Sequence, residues 1–416
     1  MSRQITNPFR MNILNSPQKE ADGQAEKRQQ RQFKSIVRCL SKSEAAFTIP
    51  EIAEYVKISV PTCTKLVKEL VEKKYVLEEG KKETENGRRP ESYALNKQRF
   101  YAVGVEILLK FIHVSIIRID SELIYENSNN QFVLENTPEG LQYVVAFIKA
   151  AIDKNQLQND QIVGIGVGLA GTVNVHTGVT QHFNFMGIPF QKHLENIFKV
   201  PVWVDTDTRA IGTAEQVLGK AQGVENVLIV KVSRSIGMSV ILNGKMIVGG
   251  TGQAGEFGHV QFGKLGRLCS CGKKNCLETE VSGGALQIDL KEALINGETS
   301  HHFQLQNAET YRYHDVLKAV LDGDALALKL VLDQADKLGQ ALGNVVNLLN
   351  PDLIVIGGEI VMIRDFYIDA LKMGLKKTSL IGSLANCRVE VSDLGRYFSS
   401  KAAAHTVFKN YDLTKY

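Results

Sequence analysis

The chain has 416 residues, enough for two or three domains, and its 44% hydrophobic and 23% charged residues are the balance of an ordinary globular protein. A formal net charge of only +4 excludes a uniformly basic nucleic-acid binder, so any DNA affinity has to be local. No apolar run approaches the roughly 18–20 residues needed to span a bilayer, and the N-terminus lacks a secretory pattern, so a cytoplasmic protein with no membrane partner is expected.

Residues 1–24 are polar, carry Pro8, Pro17 and Gly23, and read as a flexible tail. A basic, helix-prone segment follows from about Gln24 to Ser41, in which Phe33, Ile36, Val37 and Leu40 recur at helical spacing. Thr48 is placed to cap a helix opening on Ile49 and Pro50, with Ile52, Ala53 and Val56 on its apolar face. After a short turn, Ser59 caps a second helix whose inner face is Cys63, Leu66, Val67 and Leu70. Strand-like Tyr75–Leu77 and Ser92–Leu95 flank a charged turn holding Gly87, Arg88, Arg89 and Pro90. Helix, helix, turn, helix and hairpin predict a winged helix-turn-helix over residues 25–97.

The polar side of that second helix offers Ser59, Thr62, Thr64, Lys65 and Lys68 to a major groove. Arg88 and Arg89 at the hairpin tip suit phosphates or a narrow minor groove. Double-stranded DNA is therefore the expected partner. One such domain reads one half-site, so a homodimer or homotetramer is expected. The competing reading, a protein-binding winged helix, draws on the nearby acids Glu69, Glu72, Glu78, Glu79, Glu83 and Glu85.

From residue 98 to 416 the pattern changes. Apolar runs at Ala102–Glu106, Ile112–Ile119, Ile162–Val167, Val202–Val204, Val227–Val232, Met238–Leu242 and Leu353–Ile356 predict strands. Gly140–Ile152 and Ala325–Leu349 predict helices, and the alternation argues for α/β layers.

Six cysteines in so long a chain are no disulfide framework, but three fall between 269 and 276. Cys269, Cys271 and Cys276, with His259 upstream, suit tetrahedral Zn²⁺. Four protein ligands close the site, so the metal is expected to be structural. The alternative is free buried cysteines beside a core histidine.

The run Gly255-Glu256-Phe257-Gly258-His259, followed by Cys269-x-Cys271-Gly272-x-x-x-Cys276-Leu277-Glu278, resembles the ROK family of repressors, open reading frames and kinases. The Gly87-Arg88-Arg89-Pro90 wing is similar to that of its repressor branch. The resemblance covers about residues 30–410. It implies a two-lobed, actin-like (ribonuclease H-like) ATPase fold with a structural zinc loop, following the winged helix-turn-helix. It also implies a sugar bound between the lobes; a sugar-phosphate effector held by Lys110 or Arg234 is an alternative. Glu256, His259 and Glu278 match the residues that grip sugar hydroxyls, and Asp207 matches the kinases' catalytic base. Thr206 stands where those kinases usually have Asn. Gly171 matches a glycine lining the sugar site, and Asn184 is a weaker match.

The same comparison argues against phosphoryl transfer. Glycine-rich turns let backbone N–H groups approach phosphates. The first family turn, Asp-x-Gly-Gly-Thr, is here Glu106-Ile107-Leu108-Leu109-Lys110. The second, Gly-Thr-Gly-x-Gly, is Ser233-Arg234-Ser235-Ile236-Gly237. Only the Gly357-Gly358 element is intact, and strand-to-helix packing alone would keep that pair. The expectation is a sugar-responsive repressor with an inactive kinase body, in which Asp207 is a vestigial base. The alternatives are an active ATP-dependent sugar kinase, with Lys110 and Arg234 replacing lost donors, and regulation by a partner protein.

Overall fold

A computed structural model describes residues 17–41, 45–82, 90–108, 110–131, 133–171, 173–174, 177–180, 189–395 and 398–411, excepting the side chains of 17–27 and 30. It divides into two compact units, Met1–Phe100 with Asn410–Tyr416, and Tyr101–Lys409.

In the first unit α1 (Pro17–Ser41) precedes β1 (Phe47–Thr48), α2 (Ile49–Val56), α3 (Val60–Glu72), β2 (Val76–Lys81) and β3 (Glu91–Leu95). The strands form one antiparallel sheet in the order β1-β3-β2. Residues 17–24, expected as tail, are helical: Pro17 suits a first turn, and the Gln, Lys, Glu and Ala that follow outweigh Gly23. The Glu51 carboxylate accepts from the Thr48 backbone N–H at 2.6 Å and its hydroxyl at 2.9 Å, fixing the start of α2. Phe33, Ile36, Leu40, Ile52, Cys63, Val67 and Leu70 are buried, so the three helices share a core.

The second unit opens with β4 (Tyr101–Leu108), β5 (Phe111–Arg118), β6 (Leu123–Asn129), α4 (Pro138–Lys154) and β7 (Ile162–Leu169). A small hairpin of β8 (Val173–Asn174) and β9 (Val179–Thr180) leads to α5 (Phe190–Phe198), β10 (Val202–Thr206) and α6 (Asp207–Leu218). Next come β11 (Val227–Val232), β12 (Ile236–Leu242), β13 (Lys245–Met246), α7 (Glu278–Val281) and α8 (Gly283–Ile295). Then follow α9 (Tyr313–Leu321), α10 (Ala325–Leu349), β14 (Leu353–Gly357), α11 (Arg364–Thr378), α12 (Ile381–Ala385), β15 (Arg388–Val391) and α13 (Phe398–Asn410).

Two five-stranded sheets result, β10-β7-β4-β5-β6 and β13-β12-β11-β14-β15. Each joins three antiparallel strands to two parallel ones in the same order, so one layout occurs twice. The first has its own apolar core, including Val103, Val105, Ile148 and Ile165. The second buries Leu228, Val230, Leu338 and Ile356 beneath α8 to α11. The central strands β4, β7, β11 and β14 are almost wholly buried, which explains their continuous apolar runs. No helix among the described residues is long and apolar enough to cross a membrane.

Candidate ligand cleft and metal centre

The polar cluster begins where β10 hands over to α6. Thr206 caps the helix, its hydroxyl accepting from the Arg209 N–H at 3.2 Å. Asp207 follows in the first turn, where the helix dipole favours a carboxylate. Its Oδ1 accepts from the Thr208 N–H at 2.7 Å, and its Oδ2 from the Lys231 ammonium at 2.5 Å.

Glu256, His259 and Glu278 reach the same neighbourhood from the loop after β13 and from the start of α7. That loop runs against β12. Gly255 has φ +91°, and a Cβ there would lie 2.1 Å from the Met238 carbonyl oxygen, so only glycine fits. Glu256 Oε2 stands 3.9 Å from His259 Nε2. Burial pushes the Glu256 carboxyl above its usual range; His259 and Arg209 counter this, while Asp207 and Glu278 add to it. Glu278 Oε2 accepts from the Ile236 N–H at 3.4 Å. Asp207, Glu256, His259 and Glu278 therefore share one partly buried polar site. Gly171 is exposed just beyond β7 with φ +98°; Asn184 lies outside the described residues.

The imidazole also belongs to a second cluster. One ligand atom each from His259, Cys269, Cys271 and Cys276 lies within 4.8 Å of every other. His259 Nδ1 is 3.5 Å from Cys269 Sγ, and Cys271 Sγ is 3.5 Å from Cys276 Sγ. Zn–S and Zn–N bonds of about 2.3 and 2.0 Å at tetrahedral angles put ligands about 3.5–3.8 Å apart, so the donor set fits such an ion. All four groups could hold a metal, and the three cysteines are free of disulfides. Burial and the neighbouring thiols push Cys276 up to about 12, a penalty that a bound cation would relieve.

The Ser233–Ser235 turn is tied into its own chain. The carbonyls of Ser233 and Arg234 accept from the Gly283 and Gly284 N–H groups at 2.8 and 2.9 Å, closing the start of α8. The Ser233 hydroxyl accepts from the Glu359 N–H at 3.3 Å. Beside Gly357 and Gly358 there remains a cavity of about 10 Å³, also lined by Lys231, room for a single water. The surviving glycines have packing reasons: a Cβ would lie 2.2 Å from Thr208 Oγ1 at Gly237 and 2.4 Å from the Val232 carbonyl at Gly358. Leu108 is half-buried at the end of β4, Leu109 is outside the described residues, and Lys110 and Arg234 are exposed.

Two charged residues of the site escaped the sequence reading. Arg209 is 2% exposed, and its guanidinium donates to Asp205 Oδ1 at 2.6 Å, the Gly252 carbonyl at 2.6 Å and the Val173 carbonyl at 3.3 Å. It ties α6 to the loop that carries Glu256. Lys231 lies within β11, 5% exposed, its ammonium also 3.3 Å from Glu106. A single lysine in the apolar strand Val-Leu-Ile-Val-Lys-Val was the available signal, because a buried lysine needs an anionic partner.

In the first unit, Ser59, Thr62, Lys65 and Lys68 are exposed on or beside α3. Ser59 also caps the helix, its hydroxyl accepting from the Thr62 N–H at 3.4 Å. Thr64 is half-buried, and its hydroxyl donates to the Val60 carbonyl at 2.9 Å. Arg88 and Arg89 lie outside the described residues.

A duplicated α/β sheet layout, a carboxylate at the first turn of α6 and a His–Cys cluster characterise the second unit. The family model described as "ROK family" matches residues 103–399, and the chain belongs to the ROK family. It is 25% identical over 347 residues to the xylose repressor of Caldicellulosiruptor bescii, covering 83% of this chain and 87% of that protein. It is 29% identical over 311 residues to a glucokinase of Halalkalibacterium halodurans, covering 71% of this chain and 91% of the other. Among solved structures, a ROK family transcriptional regulator, a homolog of the Escherichia coli MLC protein, matches with a TM-score of 0.76 at 22% identity, covering 92% of this chain and 96% of that one.

Proposed function

We propose that this chain is a cytoplasmic, sugar-responsive, DNA-binding transcriptional repressor of carbohydrate-metabolism genes, whose kinase-like body does not transfer phosphoryl groups. The observation that carries the reading is a contrast within one body. Asp207, Glu256, His259 and Glu278 are gathered as a polar grip, while the Ser233–Ser235 turn spends its carbonyls and a hydroxyl on its own chain. Phosphoryl transfer is mainly positioning and charge stabilisation, so loss of the glycine-rich phosphate turns removes it.

In this reading residues 25–97 are a winged helix-turn-helix, with α3 as recognition helix and residues 98–416 as the ligand-binding body. Lys65 and Lys68 neutralise phosphates, Ser59 and Thr62 meet the groove, and Arg88 and Arg89 extend contacts from the wing. Sugar hydroxyls are held by Asp207, Glu256, His259 and Glu278, with Gly171 and Thr206 lining the site. His259, Cys269, Cys271 and Cys276 bind structural Zn²⁺. When bound, the ion supplies a rigid tie through Nδ1 that leaves Nε2 oriented toward the ligand. A homodimer or homotetramer places two α3 helices on an operator, and the sugar acts by favouring one of two spacings.

The test joins selection of a binding site from random double-stranded DNA with a thermal-shift screen of sugars and sugar phosphates. A hit is expected to change affinity for the selected DNA. The reading fails if no DNA is selected and no sugar alters the protein's melting. The glucokinase similarity and the retained Asp207 favour a second reading, an active sugar kinase. ADP release that Asp207→Asn abolishes would establish it instead.

A further inference from the structure

Three buried charges meet at the base of the second unit, and the ligand grip uses only one of them. Glu106 comes from β4 in the first sheet, Lys231 from β11 in the second, and Asp207 from α6. They are 4%, 5% and 8% exposed. The ammonium is 2.5 Å from Asp207 Oδ2 and 3.3 Å from Glu106 Oε1, so one cation is shared between two carboxylates and joins the two sheets. Burial raises the Glu106 carboxyl above its usual range, which Lys231 and the Ser399 hydroxyl oppose and Asp207 reinforces; at Asp207 the Thr208 N–H and the start of α6 meet the negative charge.

Two converging carboxylates are a usual protein contribution to a Mg²⁺ or Mn²⁺ site, with waters or phosphate oxygens completing the octahedron. Such an ion is also what a nucleotide's phosphates require. We propose that Lys231 is a built-in cation standing where a divalent ion would otherwise bind between Glu106 and Asp207, and that it holds Asp207 in place without metal or nucleotide. This rests on the non-kinase reading above and extends it. The altered turn removes the phosphate seat, and Lys231 removes the metal seat.

Burial works against the ammonium, but the carboxylates of Asp207 and Glu106 outweigh it and keep Lys231 charged well above its usual range. Asp207 is thereby fixed at both oxygens, by Thr208 and by Lys231, and serves as a positioned acceptor. Lys231 is a positioning residue in this scheme.

Mn²⁺ is the probe, followed by electron paramagnetic resonance and thermal unfolding of the full-length protein. Wild type is expected to show no Mn²⁺ signal that Asp207→Asn removes. Lys231→Ala leaves two carboxylates unbalanced, is expected to melt lower than wild type, and should gain a bound Mn²⁺ that restores its melting temperature. If Lys231→Ala folds only when Mn²⁺ is present, the proposal is supported equally. The double variant Glu106→Gln, Lys231→Met keeps one carboxylate and should fold without any Mn²⁺ response. The proposal is overturned if Lys231→Ala gains no Mn²⁺ or stays unfolded in its presence. It is likewise overturned if the double variant binds Mn²⁺ as Lys231→Ala does, or if wild type already binds an ion lost with Asp207→Asn. None of these measurements involves sugar or DNA, so a failure here is separable from a failure of the repressor reading.

Discussion

Replacing Gly255 with alanine attacks the ligand grip through the backbone, and a matched control isolates the effect. Gly255 has φ +91° and Gly297 has φ +85°, so an alanine at either position takes on similar strain, roughly 1–2 kcal/mol. At Gly297 the added methyl meets nothing within 4 Å, whereas at Gly255 it would sit 2.1 Å from the Met238 carbonyl oxygen. A carbon needs more than 3 Å from that oxygen, so the loop must retreat by about 1 Å, adding about 1–3 kcal/mol of overpacking. Glu256 is the next residue, and a displacement of about 1 Å in a positioning group can cost on the order of 100-fold in function. Urea denaturation of the two variants should place Gly255→Ala below Gly297→Ala by about 1–3 kcal/mol. Titration with the sugar identified by the thermal-shift screen should show weakened binding in Gly255→Ala alone. Equal stability and equal sugar affinity in the two variants would refute the claim that β12 forces glycine beside Glu256.

Cys276→Ser should lose bound metal, measured by elemental analysis, and lower the melting temperature; normal metal content would remove Cys276 from the ligand set. Burial holds the His405 imidazolium down to about 4, below the ordinary value of 6.5, so its neutral form is the folded one. Stability from this group is full above pH 6.5 and is lost as pH falls toward 4, by about 3 kcal/mol. Denaturation of wild type and His405→Gln across that window should show the smaller pH slope in the variant, and equal slopes would count against the assignment. Lys65→Ala and Lys68→Ala should each weaken DNA binding similarly across sequences and lower the salt dependence by about one counterion, measured by fluorescence anisotropy; unchanged salt slopes would take α3 off the phosphates.

Much of the molecule was legible from the chain because the governing interactions are local. Thr48, Pro50 and Ser59 set helix starts within three or four residues, and α10 runs over the expected Ala325–Leu349. The Cys269, Cys271 and Cys276 spacing lies in one loop, which the fold then closes with His259. The helical extent of 17–24 is masked in the sequence by Pro17 and Gly23, which the many strong helix formers around them override.

Local patterning along the chain accounts for most strands and helices and for which residues are chemically equipped to grip a ligand or metal. What each charged group faces is set by tertiary packing. Lys231 meets Glu106 from 125 residues away and Asp207 from 24 away, and Arg209 reaches the Gly252 carbonyl across 43 residues. Residue spacing cannot report such pairings, because they arise when two separately formed sheets and the helix between them pack. In that interior a lone charge is too costly to persist, so its partner is set by three-dimensional proximity and not by position along the chain.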